Sequence, residues 1–211
     1  KKKTKKTAGH AAEIYNYYKE QGWKYQQYIA CLDPLGEDRG KTPYALNPEQ
    51  YGMFLTELFN LWYEDWKKGE QPYIRQFENY IGILLGYQPE SCEQRGSCGT
   101  QNVVEADGSV YPCDFYALDE YKLGNFNCNR LEEIDKKRKE IAFVEQSQIV
   151  AENCKNCKFY KICKGGCRRN KDFNAMNGEY ENYFCKSYRI FFDICLERMI
   201  QIVEIIKNQK G

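Results

Sequence analysis

The stretch CKNCKFYKICKGGC, Cys154 to Cys167, places four cysteines within fourteen residues and decides what kind of domain this chain forms. The chain has 211 residues and eleven cysteines, and a chain of this length buries a sizeable core without disulfide bonds. It has no apolar run near the roughly 20 residues of a membrane span and no signal-peptide layout, which predicts a cytoplasmic protein with no membrane partner. Thiols stay reduced there, so clustered cysteines more often bind a metal than pair as disulfides.

The charge balance argues against a polyanionic partner. Lysine and arginine number 31 and aspartate and glutamate number 30, so no overall field favours nucleic acid. One basic block, KKKTKK at Lys1 to Lys6, opens the chain. Short charged runs near a chain end are usually solvated, so we expect an exposed face here.

Hydrophobic periodicity predicts a chain that begins as α/β and continues as α+β. The segment from His10 to Trp23 has helical spacing, and the alternation from Lys24 to Leu35 predicts one strand that breaks at Pro34. A lone strand leaves both edges unpaired, so we expect this unit to be a piece of a larger sheet. The other predicted elements are helices at residues 47–69, 74–86, 131–143 and 186–209 and a hairpin within residues 102–116. After Cys92 the sequence changes from segments with helical spacing to β-rich segments, which places a domain boundary near residue 90.

The spacing of the cysteines groups eight of the eleven into two sets. The sets are Cys92-x5-Cys98-x14-Cys113 and Cys154-x2-Cys157-x5-Cys163-x3-Cys167-x17-Cys185. Four thiolates complete either a tetrahedral zinc site or one iron–sulfur cubane, so eight thiolates predict two sites. The Cys-x2-Cys half-site at Cys154 and Cys157 suits zinc. Two features favour iron–sulfur clusters instead: the cysteines form one dense run plus distant members, and the sole histidine, His10, lies far from all of them in sequence.

Three cysteines lie outside these sets. Cys195 is on the apolar side of the last predicted helix, and we expect it to be a small buried hydrophobe. Cys128 is expected to be a loop thiol. Cys31 ends the predicted strand and is expected to be a packed thiol.

The spacing of seven cysteines resembles the SPASM pattern of radical SAM peptide-modifying enzymes. The pattern consists of Cys98-x9-Gly108-x4-Cys113, the run from Cys154 to Cys167, and Cys185. Four further features are similar to the anaerobic sulfatase-maturating enzymes within that group. They are DGSVYPCDFY at Asp107 to Tyr116, the CKGGC sequence, the extra Cys92, and CLDP at Cys31 to Pro34. The likeness runs from about residue 10 to the end of the chain.

This resemblance implies a fold and a ligand set. Residues 1–45 would form the last strand and helix portion of a partial (β/α)6 TIM-like barrel, and residues 46–90 a helical linker. Residues 91–211 would form a cysteine-rich SPASM domain with a β-hairpin and a C-terminal helix. Matching positions would bind two auxiliary 4Fe-4S clusters, the first through Cys92, Cys98, Cys113 and Cys167 and the second through Cys154, Cys157, Cys163 and Cys185.

The resemblance also implies a reaction. In such enzymes, S-adenosyl-L-methionine at a third 4Fe-4S cluster yields a radical that takes a hydrogen atom from a cysteine or serine of a sulfatase, and the product is Cα-formylglycine. A side-chain proton and one more electron must also leave, which gives the aldehyde from serine and a thioaldehyde from cysteine, and water then replaces the sulfur of the thioaldehyde as hydrogen sulfide. Asp114 follows Cys113 and matches the general base, and an anionic cluster nearby would raise the proton affinity of this carboxylate. Leu32 matches a position that lines the S-adenosyl-L-methionine site.

One departure from the family and two partners complete these expectations. The Cys-x3-Cys-x2-Cys loop of the radical cluster occurs nowhere in this sequence, so we expect the chain alone to be inactive. The implied partners are an unfolded sulfatase peptide segment and a reducing electron donor such as flavodoxin or ferredoxin.

Two other functions remain open from the sequence. The first is a SPASM-type enzyme that matures ribosomal peptides, against which Cys92 and the Cys113–Asp114 pair argue. The second is a zinc-binding interaction module without catalysis. The colour of the purified protein separates the last from the others, because iron–sulfur proteins are brown and zinc proteins are colourless.

Overall fold

The computed structural model describes residues 2–209, which form a mixed fold of α-helices and short β-strands. The described helices are α1 (Ala11–Glu20), α2 (Pro48–Trp66), α3 (Arg75–Leu84), α4 (Cys92–Arg95), α5 (Leu131–Glu140), α6 (Phe143–Ser147), α7 (Glu152–Lys155), α8 (Tyr160–Cys163) and α9 (Cys185–Asn208). The described strands are β1 (Lys2–Lys3), β2 (Tyr25–Gln26), β3 (Ile29–Ala30), β4 (Tyr73–Ile74), β5 (Val103–Val104), β6 (Ser109–Tyr111), β7 (Gly124–Asn125), β8 (Lys171–Asn174) and β9 (Glu179–Asn182).

The first part of the chain contains two short parallel strand pairs. Strand β1 pairs with β3, and β2 pairs with β4. The prediction of one strand from Lys24 to Leu35 is therefore wrong. Between β2 and β3, the backbone amide of Tyr28 donates to the side chain of Gln76 and not to a neighbouring strand, which interrupts the ladder.

The basic segment at residues 1–6 is predicted to be exposed, and this prediction holds for only some of its lysines. Lys5 and Lys6 are exposed, but Lys3 is 2% exposed because β1 is paired inside the fold. The Lys3 ammonium lies 4.7 Å from the centre of the Tyr28 ring. Lys1 lies outside the described residues.

Helix α2 begins where the sequence predicts. The Asn47 side chain accepts a hydrogen bond from the Gln50 amide at 2.8 Å, Gln50 caps the Asn47 amide in return, and Pro48 is the first helical residue. Such a cap stabilises a helix by about 1 kcal/mol. Helix α2 packs closely on α9 at Gly52, since a Cβ there would lie 3.0 Å from the backbone of Ser187.

One large hydrophobic core joins the early and late parts of the chain. Its buried side chains come from α1, α2, α3, α8 and α9, and they include Tyr15, Phe59, Phe77 and Phe191. The three predicted segments 1–45, 46–90 and 91–211 all contribute to this core, and their boundaries remain predictions.

A separate three-stranded antiparallel sheet has the order β5–β6–β7. The predicted hairpin is confirmed: Asp107 and Gly108 form the turn between β5 and β6, where Gly108 has a φ of +84°. The small core beneath this sheet contains Val110, Leu123 and Ile134.

The late helices differ from the prediction in one place. The predicted helix at 131–143 is two helices, α5 and α6, because Ala142 adopts the left-handed conformation with a φ of +47°. Helix α9 spans the predicted C-terminal helix, with Cys185 as its first residue. Within residues 2–209, no helix is both long and apolar enough to cross a membrane.

Candidate metal centre

Four of the predicted ligands form a first thiol group, consisting of Cys92, Cys98, Cys113 and Cys167. Cys92 begins α4, Cys98 follows that helix, Cys113 follows β6, and Cys167 lies just before β8. Cys98 lies within electrostatic range of Cys92, Cys113 and Cys167, and Cys167 also interacts with Cys92. Cys167 is thus associated with the three cysteines that are most distant in sequence.

The other four form a second thiol group, consisting of Cys154, Cys157, Cys163 and Cys185. They lie on α7, in the turn after it, at the end of α8 and at the start of α9. Cys154 and Cys185 interact with each other and with Cys157 and Cys163. Among residues 2–209, no three His, Cys, Asp or Glu side chains converge closely enough to hold a single metal ion.

Burial opposes ionisation of several of these thiols. Burial, together with neighbouring cysteines, raises the pKa of Cys113 to about 12 and that of Cys163 to about 12. Burial raises the pKa of Cys167 as well, although the Arg169 amide donates to its sulfur at 3.4 Å. Thiolates in such a place need a cationic partner, and an iron–sulfur core binds four of them. The donor set therefore fits two such clusters.

The two cysteine-bearing loops touch at one glycine. Gly96 lies between Cys92 and Cys98 with a φ of +70°, and a Cβ on it would lie 2.6 Å from the Cβ of Lys164 and within the contact radius of the Lys164 carbonyl. Lys164 lies between Cys163 and Cys167 and is itself left-handed, with a φ of +55°. Only glycine allows this approach without displacing the loops.

A cavity of about 820 Å³ lies beside the first thiol group. All four cysteines of that group line it, together with Leu32 and Asp114. The structure thus brings together Leu32, Asp114 and half of the predicted ligands, although Leu32 and Asp114 are 82 positions apart in number. No cysteine of the second thiol group is among the described residues that line this cavity.

Asp114 begins a short 3₁₀ turn, Asp114–Tyr116, directly after Cys113. Its side chain is exposed, and its carboxylate accepts a hydrogen bond from the Cys113 thiol at 3.2 Å. A carboxylate at the wall of a cavity, beside a predicted cluster ligand, is placed to accept a proton from a bound molecule.

A buried loop next to Leu32 forms another wall of the cavity. Asp33 is 1% exposed and accepts hydrogen bonds from the Gly40 amide, the Thr42 amide and the Thr42 hydroxyl, each at 2.7 Å. Burial acts to raise the pKa of Asp33, but these hydrogen bonds hold it below its ordinary value. The Asp33 carbonyl accepts a hydrogen bond from the guanidinium of Arg169.

Sequence reasoning missed both Asp33 and Arg169. Arg169 is largely buried and lines the cavity, two residues after Cys167. Arg39 reinforces the link, since it forms a bidentate ion pair with Asp172 and donates to the Arg169 carbonyl at 3.1 Å. The signal in the sequence was slight: an acidic residue within CLDP and an arginine pair after CKGGC.

The three remaining cysteines differ in their surroundings. Cys195 is 0% exposed, which confirms that it is a packed core residue. Cys128 is exposed in a loop, as predicted. Cys31 is partly buried and lines the cavity next to Leu32.

Two groups of four cysteines are the donor set that an iron–sulfur cluster-binding domain presents. The SPASM family, described as an iron-sulfur cluster-binding domain, matches residues 92–158. This range includes three cysteines of the first thiol group and two of the second.

More particularly, the chain is related along almost its whole length to the anaerobic sulfatase-maturating enzymes, of which it matches the C-terminal part. It is 45% identical over 204 residues to the cysteine-type anaerobic sulfatase-maturating enzyme of Clostridium perfringens strain 13, covering 97% of this chain and 55% of that protein. It is 29% identical to the serine-type enzyme of Bacteroides thetaiotaomicron, covering 97% of this chain and 53% of that protein. The chain spans about half the length of the curated relatives it matches.

Solved structures show the same relation. The native enzyme anSMEcpe with bound AdoMet and Cp18Cys peptide superposes with a TM-score of 0.89 at 42% identity, covering 97% of this chain and 57% of that one. The native enzyme with bound AdoMet alone also superposes with a TM-score of 0.89, covering 96% of this chain and 55% of that one. The fold of this chain is therefore that of the C-terminal portion of those structures.

Proposed function

We propose that this chain is the C-terminal part of a radical SAM enzyme that oxidises a residue of a sulfatase to Cα-formylglycine. The observation that supports this most is the cavity, which joins Leu32, Asp114 and the first thiol group in one place. Identity is higher to the cysteine-type relatives than to the serine-type ones, 45% against 29%, which favours cysteine as the target. The reduced thiols require a reducing compartment, so we place the enzyme in the cytoplasm.

Each thiol group is proposed to bind one auxiliary 4Fe-4S cluster. The first would use Cys92, Cys98, Cys113 and Cys167, and the second Cys154, Cys157, Cys163 and Cys185. When bound, the clusters supply an acceptor for the electron that the oxidation releases. The mutual electrostatic contacts within each group support this assignment.

The residues of this chain take three roles in the proposed reaction. Asp114 accepts the proton of the substrate thiol at its carboxylate, because it lies on the cavity wall beside Cys113. Leu32 contacts S-adenosyl-L-methionine from the end of the early strands. Strands β1 to β3, which lie within residues 1–45, would belong to the last portion of a partial (β/α)6 barrel whose remaining part binds the third cluster.

The proposed partners follow from the same site. An unfolded sulfatase segment would enter the cavity, whose volume of about 820 Å³ accommodates a few side chains. A reducing electron donor such as flavodoxin or ferredoxin would supply the electron that cleaves S-adenosyl-L-methionine.

The cluster assignment is tested by metal content in single alanine variants. We expect about eight irons per chain after anaerobic loading, and about four in Cys113→Ala, Cys167→Ala and Cys163→Ala. Electron paramagnetic resonance should show the same remaining cluster in Cys113→Ala and Cys167→Ala, and the other cluster in Cys163→Ala. Cys128→Ala is the matched control and should keep about eight irons, because Cys128 belongs to neither group.

Two results would contradict this assignment. Two zinc ions and no iron would support a zinc-binding module. Loss of the same cluster in Cys167→Ala and Cys163→Ala would show that neighbours in sequence share a cluster.

The activity is tested with the complete enzyme, which also carries the radical cluster. A synthetic sulfatase peptide with cysteine at the target position should gain the mass change of formylglycine, and one deoxyadenosine should form per product. Deoxyadenosine without modified peptide, in the unaltered enzyme, would show that sulfatase segments are not the substrate.

A further inference from the structure

Lys171 lies between the two thiol groups. It is the first residue of β8 and follows Cys167 by four positions, after the short 3₁₀ turn Arg168–Asn170. Its ammonium donates to the carbonyls of Ser147 at 2.7 Å and Ile149 at 2.9 Å. This segment leads from α6 to α7, which carries Cys154. The backbone of Lys171 thus follows Cys167 of the first thiol group, while its ammonium binds the segment that precedes Cys154 of the second thiol group.

Hydrogen bonds and charge link Lys171 to cysteines of both groups. The Cys98 amide donates to the Ser147 hydroxyl at 2.8 Å, so the residue that receives the ammonium also anchors a ligand of the first group. The positive charge of Lys171 lies within electrostatic range of Cys98 and Cys167 in the first group and of Cys154 in the second.

The other charged groups nearby include a cation, Arg168, and a carboxyl group, Glu93, that lies close to cysteines of both thiol groups. Arg168 directs its guanidinium to the Phe143 carbonyl at 2.8 Å and to the Gln146 side chain. Glu93 lies close to Cys92, Cys163 and Cys167. Its carboxyl accepts a hydrogen bond from the Tyr188 hydroxyl at 2.6 Å.

Two clusters so placed would oppose each other's reduction. Each core with four thiolates carries a net negative charge, and an added electron makes it more negative. Charges inside a protein are poorly screened, so reduction of one cluster disfavours reduction of the other. A partly buried cation near both clusters reduces this penalty, since net charge and hydrogen bonding set the reduction potential of a cluster.

We propose that Lys171 is a positioning residue that supplies one positive charge to both clusters and raises the reduction potential of each. This inference rests on the proposed function, because it requires two clusters. The shared charge makes the first cluster a better electron acceptor on the cavity side, and because it raises both potentials together, it does so without opposing passage of the electron to the second cluster. Lys171 has no contact with substrate in this role and acts only through the clusters.

The test is an anaerobic redox titration of the cluster-loaded protein, followed by electron paramagnetic resonance. We expect Lys171→Met and Lys171→Gln to make reduction of each cluster about tenfold less favourable, which is about 59 mV for one electron. Lys171→Arg keeps the charge and should leave both potentials near those of the unaltered protein. A purely structural role would not separate the arginine variant from the neutral ones in this way.

Lys158→Met is the matched control. Lys158 is next to Cys157 in sequence, but its side chain is 69% exposed and pairs with Asp193 at 2.6 Å. Water screens such a charge, so its removal should change the reduction equilibria by less than about threefold.

Three results would overturn the inference. Neutral variants with full iron content and unchanged potentials would show that the charge has no effect. A shift in only one cluster would show that the charge is not shared, and loss of iron in both neutral variants would show that Lys171 is structural. Absence of iron from the unaltered protein would instead refute the proposed function.

Discussion

Asp114 combines two properties that an oxidation needs at one place. It faces a cavity that a substrate can enter, and its carboxylate touches the thiol of Cys113, a proposed cluster ligand. A proton and an electron that leave the same substrate would thus find their acceptors side by side. We therefore expect a change at this exposed carboxylate to alter the rate of the proposed reaction and not the folding of the chain.

We expect Asp114→Asn, made in the complete enzyme, to uncouple S-adenosyl-L-methionine cleavage from formylglycine formation. The amide keeps the size of the side chain but accepts no proton, so formylglycine formation should fall by roughly 10²-fold or more while S-adenosyl-L-methionine cleavage continues. Both products can be measured by mass spectrometry in one assay. Asp119→Asn serves as the control, because Asp119 is an exposed aspartate five positions later and does not line the cavity. Normal formylglycine formation by Asp114→Asn with both clusters intact would mean that the base lies elsewhere.

At the scale of elements, the Gly96 loop and the Lys164 loop meet between cysteines of the two thiol groups. We expect Gly96→Ala to lose roughly half or more of the bound iron, because the new methyl group would push the Lys164 backbone and the neighbouring cysteines apart. Iron and sulfide content after identical loading measures the effect.

Gly69→Ala separates this clash from backbone strain. Gly69 has a φ of +74°, close to the +70° of Gly96, but nothing lies within 4 Å of the position that a Cβ would take there. Both alanines have the left-handed strain of roughly 1–2 kcal/mol, and only Gly96→Ala has the clash. Equal iron loss in both variants would contradict the proposed role of the loop contact.

The loop from Asp33 to Thr42 depends on one buried carboxylate. We expect Asp33→Asn to lower the free energy of unfolding by about 1–3 kcal/mol, because the amide nitrogen would face one of the N–H groups that now donate to the carboxylate. The folded pKa of Asp33 is below its ordinary value, so its contribution is present above the unfolded pKa and is lost as the pH falls through the folded pKa. The difference between variant and unaltered protein should therefore be constant from about pH 5 to about pH 8, as urea denaturation can measure.

Asp38→Asn is the control for this loop, because the Asp38 side chain is 80% exposed and pairs only with Lys41 in a surface ion pair. Its change should lower the free energy of unfolding by less than about 1 kcal/mol. A difference for Asp33→Asn that grows across the same pH range would show that another group titrates with the loop.

The elements that the sequence predicted well have strong local signals. Asn47, Pro48 and Gln50 mark the start of α2 through their own hydrogen bonds, and the Asp107–Gly108 turn specifies its hairpin. The two-residue strands β1 to β4 are too short to show periodicity, and Lys3 is buried only because β1 pairs with distant β3. Tertiary contacts, and not local preference, decide such elements.

On the scale of the whole molecule, the small sheet differs from the large core in how much apolar surface supports it. Its core has Val110, Leu123 and Ile134, whereas the large core joins five helices. We expect removal of iron by a chelator to speed amide hydrogen exchange in β5 to β7 by about tenfold or more, because the first thiol group anchors that sheet. Amides of α2 and α9 should change by less than about threefold. An equal increase everywhere would mean that the clusters support the whole fold.

The site was harder to predict than the fold for a physical reason. Spacing alone grouped the cysteines by nearness in sequence and left zinc and iron–sulfur both open, because a thiol has no sequence signal for the direction in which it points. The turn at Lys164, Gly165 and Gly166, all with positive φ, separates Cys163 from Cys167 and directs them to different groups. Asp33 and Arg169 gave only a slight signal in the sequence, since the contact between them forms only in the folded chain.

The division of the thiols between the two groups also determines when, during translation, each group has all four of its cysteines. Cys92, Cys98 and Cys113 leave the ribosome early, but their fourth member, Cys167, follows Cys113 after 53 further residues. At ordinary rates of translation this interval lasts roughly 3 to 11 seconds. During it, three reactive thiols have no complete site, and the second group waits still longer for Cys185. We therefore expect any cluster insertion to follow translation of nearly the whole segment, and a premature stop before Cys167 yields a polypeptide that completes neither group.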